Sequence, residues 1–225
     1  MNKAAFLNAL KTHEAKPVTM GYHNGKRFYE FDGGRFSSVT TMLSATKPQR
    51  DIDVLQKWRD KVGEVEAARI SKESTERGSD MHTIIESYLK NENKEIDVRQ
   101  DAIHLFEQMI PTLNLIDWWA LEMFVCSKQL NLAGRLDCLG FFNNKLTIID
   151  FKTSTKKKYE SYIKDYYLQA TIYAIMCKEL FDLEINQGLI LISTPKDGVQ
   201  QFVFNPNKWV DSVNERVSLF RGEEL

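Results

Sequence analysis

The pattern of apolar and polar positions changes period near residue 116. Before that point apolar residues recur mostly at helical spacing; after it they alternate or run together, as strands do. Residues 3–13 predict a helix. Residues 17–31 predict a hairpin turning at Asn24-Gly25, a pair suited to the left-handed backbone of a two-residue turn. Asp32-Gly33-Gly34 reads as a break. Ser37 and Ser38 offer hydroxyls to cap a helix to about Ala45, which Pro48 ends. A polar helical stretch runs from Ile52 to about Ser74 with Trp58 as its main anchor, and Gly78 resets the chain before a second helix to about Leu89. Residues 91–95 read as a loop, followed by a helix up to Pro111. Strands are then predicted over 117–126, 131–142 and 145–152, and a long helix over 159–180. Two more strands, 185–193 and 199–204, flank the turn Pro195–Gly198, and Asn205-Pro206 opens a last helix to about Phe220.

These elements predict an α/β chain read as a single domain. An α-rich part over 1–115 precedes a β-β-β-α-β-β core over 116–205 and a C-terminal helix over 206–225. No repeat or long linker divides it. At 225 residues and 43% hydrophobic, the chain can bury a substantial core. A net charge of −1 is not the balance of a nucleic-acid coat, yet it suits an enzyme that concentrates charge at one site. Cys126, Cys138 and Cys177 are odd in number and form no Cys-x-x-Cys pair, which predicts reduced thiols and no iron–sulfur or zinc cluster. No apolar run approaches the ~20 residues of a membrane span. The first residues lack a long apolar stretch, so the expected location is the cell interior.

The chemistry concentrates in two stretches, Gly134-x-x-Asp137 and Asp150-Phe151-Lys152, separated by the turn former Asn143-Asn144. Alternation along a strand puts Asp150 and Lys152 on one side, and a hairpin through the turn brings Asp137 to the same place. Both faces of the 145–152 strand are largely apolar, so it reads as central and buried. Charges delivered there need compensation, and a divalent cation supplies it. The plain alternative is an Asp150–Lys152 or Asp137–Lys152 ion pair at a strand edge. His82 and Glu86 share a helix face four residues apart, as do Gln169 and Tyr173. Taken alone, each pair is more simply a feature of packing or capping. Lys156, Lys157 and Lys158 are the basic cluster nearest the acids.

In this order, His82, Gly134-x-x-Asp137, Asp150-Phe151-Lys152 and Gln169-x-x-x-Tyr173 resemble the RecB-like branch of the PD-(D/E)XK nuclease superfamily. Phe36 to Leu43, Leu55 to Trp58 and Arg77-Gly78 with His82 look more closely like the mitochondrial genome maintenance exonuclease group with its phage and bacterial relatives. The likeness spans roughly residues 15–205 and departs from the iron–sulfur nucleases of the branch, whose cluster cysteines are missing. With no evident transit peptide, it suggests the cytoplasm of a bacterium or a phage-infected cell.

The resemblance implies a restriction-endonuclease-like core, a mixed central sheet flanked by helices. It implies that His82, Asp137, Asp150 and the Phe151 carbonyl bind one or two Mg²⁺ or Mn²⁺ ions. It makes Asp137, Asp150 and Lys152 the catalytic set, with Lys152 positioning or deprotonating the attacking water. Gln169, Tyr173, Arg77, Thr153 and Ser154 are then expected to contact DNA, and Glu86 and Glu122 to support the ligands from behind. An α-rich arch over such a site predicts an exonuclease that threads single-stranded DNA by its free end, with Trp58, Tyr159 and Tyr162 as base-stacking candidates. Replication or recombination proteins are possible partners. The competing readings are an endonuclease of the same superfamily and a DNA-binding recombination module that does not cut.

Overall fold

The computed structural model describes residues 1–222; the predicted C-terminal helix reaches into 223–225, which lie outside the described residues. The chain opens with α1 (Lys3–Glu14), whose first turn is capped by the Asn2 side chain accepting from the Ala5 N–H. Three short strands follow, β1 (Val18–His23), β2 (Lys26–Phe31) and β3 (Gly34–Ser38). The third strand is a correction to the sequence reading. Asp32 and Gly33 take φ of 49° and 74°, as Asn24 and Gly25 take 50° and 73°, so the apparent break is a second tight hairpin. Ser38 caps α2 (Val39–Ala45) as expected, its hydroxyl accepting from the Thr41 N–H.

Next come α3 (Gln49–Val62), α4 (Glu64–Leu89) and α5 (Gln100–Leu113). Gly78 does not reset the chain; it lies inside α4, and the helices part at Gly63, where φ is +84°. A helix tolerates an internal glycine at about 1 kcal/mol, whereas a left-handed residue ends it. Pro111 likewise sits inside α5 rather than ending it, and the helix forgoes the one hydrogen bond that the missing N–H would have made. Strands β4 (Asp117–Ser127), β5 (Leu132–Phe142) and β6 (Lys145–Thr153) match the predicted ones closely, with Asn143 and Asn144 left-handed in the turn. A short 3₁₀ turn, Glu160–Tyr162, precedes α6 (Lys164–Phe181), so the long helix begins later than its polarity suggested. β7 (Gln187–Thr194), β8 (Gly198–Phe204), a 3₁₀ turn (Pro206–Trp209) and α7 (Val210–Arg221) complete the fold.

All eight strands join one mixed sheet in the order β1-β2-β3-β5-β6-β7-β8, with β4 on the other edge of β5. β3–β5 and β6–β7 are parallel and the remaining pairs antiparallel. Helices α1, α2, α6 and α7 cover one face, packing on Ile148, Ile190 and Ile192. α4 and α5 cover the other, packing on Ile149, Phe151, Leu189 and Leu191. Each fully buried aliphatic or aromatic side chain of this kind contributes roughly 1.5–3 kcal/mol. The result is the expected mixed central sheet flanked by helices, a restriction-endonuclease-like architecture. Among the described residues no helix is long and apolar enough to cross a membrane.

One irregularity of the sheet positions everything that follows. The edge of β5 opposite β4 is shared by β3, which pairs at Leu132 and Ala133, and β6, which pairs from Cys138 onward. Between them Gly134–Asp137 have no strand partner on that edge. The sheet therefore splays there, leaving the backbone groups of Phe151 on β6 facing a gap.

Candidate active site

Side chains fill that gap. Asp137 Oδ2 accepts a hydrogen bond from the Phe151 N–H at 2.8 Å, replacing the ladder bond a paired strand would have made. The Phe151 carbonyl, expected as a further metal ligand, lies 2.8 Å from Nε2 of His82, which α4 delivers from above. With Nε2 donating to that carbonyl, Nδ1 is the nitrogen that faces the acids: 3.4 Å from Glu122 Oε1 and 3.6 Å from Asp137 Oδ1. His82, Glu122 and Asp137 each place one ligand atom within 4.8 Å of the others.

Glu122 reaches this point through an unusual backbone. It has φ +48° in the middle of β4, a left-handed conformation that costs an L-residue about 1–2 kcal/mol. Arg135, inside the Gly134-x-x-Asp137 stretch, donates from Nη1 to the Glu122 carbonyl at 2.8 Å and braces the distortion. Glu122, expected in a supporting position, thus stands among the donors. Asp150, expected among the ligands, stands outside the trio. It is 1% exposed, and its Oδ1 lies 2.5 Å from Lys152 Nζ, yet neither of its oxygens makes a well-angled hydrogen bond. Lys152 in turn lies over the Tyr166 ring of α6 at 5.3 Å.

Electrostatics follow from this crowding. Burial disfavours the charged form of His82, but Asp137 and the hydrogen-bonded Glu122 outweigh it and push its pKa up to about 9. Burial also opposes the Lys152 charge, and the carboxylates of Asp150 and Asp137 overcome it, so Lys152 is held more firmly as an ammonium than a free lysine. Burial drives the Asp150 pKa up to about 6 despite that ammonium. A buried carboxylate whose Oδ2 has no partner, beside a cluster of two more acids and an imidazole, has capacity for further positive charge. The donor set, rich in oxygen with one nitrogen, fits a hard divalent cation and lacks the thiolates that softer ions favour.

The site forms the floor of a cleft of about 750 Å³. One wall is α4, with Ser74, Gly78, Ser79, His82 and Glu86; the other is the β1–β2 hairpin, with Met20, Arg27 and Tyr29. Lys152, Thr153, Gln169 and Tyr173 line it as expected. Gln169 Nε2 donates to Tyr173 Oη at 3.4 Å. Gly134 makes room for that phenol: a Cβ there would lie 2.8 Å from Tyr173 Oη.

Two expected phosphate contacts lie elsewhere. Arg77 turns away from the cleft toward α5, with Nη1 3.8 Å from Asp101 and Nη2 donating to Ser74, because its helical phase points it between helices. Ser154 is buried and spends its hydroxyl on the loop, donating to the Lys156 carbonyl at 2.6 Å. Trp58 is half-buried, and Tyr159 and Tyr162 are exposed but do not line the cleft. Arg27, Tyr29 and Thr40 were not anticipated. The hairpin and α2 lie far along the chain from the acids, and local pattern carries no sign that they meet. Cys126, Cys138 and Cys177 are buried and unpaired, and burial raises all three thiol pKa values.

Residues 116–219 match the model of the PD-(D/E)XK nuclease superfamily. That segment carries every strand from β4 to β8 together with Glu122, Asp137, Asp150 and Lys152. Across a longer stretch, the chain is 28% identical to mitochondrial genome maintenance exonuclease 1 of Xenopus tropicalis, over 73% of this chain and 50% of that protein. It is 28% identical to the Homo sapiens protein of the same name, over 72% of this chain and 49% of that one. The chain therefore spans about half the length of these relatives. Among solved structures, SSO0001 is 18% identical, covering 96% of this chain and 85% of that one at a TM-score of 0.42.

Proposed function

We propose that this chain is a metal-dependent deoxyribonuclease that hydrolyses single-stranded DNA from a free end. The observation that carries the reading is the trio of His82, Glu122 and Asp137 beside the Lys152 ammonium, on the floor of an open cleft, with both acids and the lysine inside the segment that matches the nuclease superfamily. The trio would hold a Mg²⁺ or Mn²⁺ ion, with Asp150 adding charge through its unpartnered Oδ2. Such an ion lowers the pKa of bound water and screens the charge on phosphate.

The chain's own groups do the rest. His82 is held in one orientation by the Phe151 carbonyl, so Nδ1 stays aimed at the acids. Lys152, kept protonated by its two carboxylate neighbours, offers positive charge to the phosphate and to the charge that grows on it. That favours a positioning and stabilising part for the lysine over service as a base. Gln169 and Tyr173 present an amide and a phenol to the strand backbone from α6. The walled shape of the cleft supports a single strand as substrate, and the exonuclease name of the relatives supports attack from an end.

End-labelled linear single strands, the same sequence circularised, and a duplex test the reading together. Cleavage of the linear strand with Mg²⁺, absent with EDTA and reduced at least ~10³-fold in Asp137→Asn, is the expected result. Equal cleavage of the circle would move the assignment to an endonuclease, and tight binding without any cleavage to a non-cutting module.

A further inference from the structure

We propose that the substrate track continues beyond the cleft, onto the face of the β1–β2 hairpin and the cavity between its tip and α2, as a second binding stretch for single-stranded DNA. The inference rests on the nuclease reading above and adds where the strand goes next. The second cavity has a volume of about 430 Å³ and shares Arg27 and Thr40 with the catalytic cleft, so the two are continuous. Its lining of Tyr22, Gly25, Lys26, Arg27, Thr40, Thr41, Ser44 and Ala45 carries two cations and no carboxylate. The catalytic cleft, by contrast, sets three acids, Glu86, Glu122 and Asp137, among its cations Arg27, Arg135 and Lys152.

The hairpin register explains why these groups line up. Met20 lies opposite Tyr29 and Tyr22 opposite Arg27, and alternate residues of a strand share a face. One face of the hairpin therefore carries Met20, Tyr22 and Arg27 in a row leading away from the acids, with Tyr29 buried at its inner end. Met20 is 52% and Tyr22 65% exposed, an apolar and aromatic surface with nothing packed over it. Arg27 donates from Nη2 to Thr40 Oγ1 at 2.7 Å, but its Nε has no hydrogen-bond partner. Among the described residues neither Lys26 nor Arg27 is paired with a carboxylate, which leaves both charges for a ligand. Unpaired cations beside an exposed aromatic ring are the chemistry that holds an unpaired polynucleotide, phosphates on one and bases on the other.

Tyr22 and Lys26 line only the second cavity, so they report on it alone. The experiment compares the full chain with Tyr22→Ala, Tyr22→Trp and Lys26→Gln. Binding of oligothymidines of about five and about fifteen nucleotides is followed by fluorescence anisotropy in EDTA, and cleavage of both is followed with Mg²⁺. The expected result is that Tyr22→Ala weakens the longer strand about fivefold or more while Tyr22→Trp preserves it. Lys26→Gln should lower the log–log salt slope for the longer strand by about one. The shorter strand should bind and be cleaved as by the wild type. Unchanged binding of the longer strand in both Tyr22→Ala and Lys26→Gln, or equal weakening of both lengths, would overturn the track and leave the nuclease reading standing. Wild-type protein that cleaves neither length would instead overturn the nuclease reading, while its binding data still decide whether the hairpin holds DNA.

Discussion

Glu122 shows what a single residue can be made to tolerate. Its left-handed φ of +48° is a cost accepted in mid-strand because it turns a carboxylate toward His82 and Asp137. Glycine adopts that conformation without penalty and removes one of three crowded acids. Glu122→Gly is therefore expected to leave the metal-free protein as stable or more stable, by about 1 kcal/mol, in urea denaturation. The same variant should bind Mn²⁺ at least tenfold more weakly by calorimetry. His13 is a case of the opposite kind, a titratable ring placed for packing. It stacks near Phe31, Phe124 and Phe181 at 4.9, 5.9 and 5.5 Å, with Nε2 3.0 Å from the Phe124 carbonyl. Burial lowers its pKa below the unfolded 6.5, against the opposing pull of that carbonyl. Between those two pKa values the unfolded chain takes up a proton that the folded chain refuses. The stability His13 contributes is thus complete above 6.5 and is lost as the pH falls below it. His13→Gln should flatten the dependence of unfolding free energy on pH just below 6.5, and an NMR titration should place the His13 midpoint below 6.5.

At the level of elements, the site depends on β5 losing its neighbour over four residues. Had β3 and β6 met edge to edge, the Phe151 backbone would have been spent on a ladder, and Asp137 would have had no gap to fill. The opening is kept by what packs against it from α6. Gly134 faces Tyr173, and a methyl group there would come within 2.8 Å of Oη and 2.9 Å of Cε1 of a ring that is 3% exposed. Such a buried ring has little room to retreat. Gly134→Ala should cost about 1–3 kcal/mol in denaturant unfolding with an unchanged m-value. Elements distant in the chain are clamped in a similar way by Arg216 of α7. It is 8% exposed and donates to Thr46 Oγ1 and the Leu43 carbonyl of the α2 region and to Asp165 of α6.

For the molecule as a whole, the acids are a standing source of instability that a cation would relieve. Glu122, Asp137 and Asp150 converge on His82 and Lys152, three acids on two cationic groups. A ligand that binds the folded state alone raises stability with its concentration, by about 2.7 kcal/mol at a hundredfold excess over its Kd. Mn²⁺ should accordingly raise the thermal midpoint in a concentration-dependent way, and Asp137→Asn should abolish the shift. A midpoint indifferent to Mn²⁺ in the unmodified chain would contradict the proposed metal site independently of any activity assay.

Much of this protein was written locally. The turn pairs Asn24-Gly25 and Asn143-Asn144, the Ser38 cap and the apolar runs of β4 to β7 are decided by backbone preference and periodicity within a few residues, so they could be read in the chain. So could the nearness of Asp137, Asp150 and Lys152, because a strand's alternation and one hairpin bring the acids and the lysine together, whereas His82 joined them only through the resemblance. Other features depend on contacts between segments tens of residues apart. Those contacts strain Glu122 into the donor group, keep Asp150 out of it and turn Arg77 toward Asp101. They also set the β1–β2 hairpin as the second wall of the cleft. Each is settled by which surfaces are buried together, and burial is a property of the folded chain that no local pattern encodes.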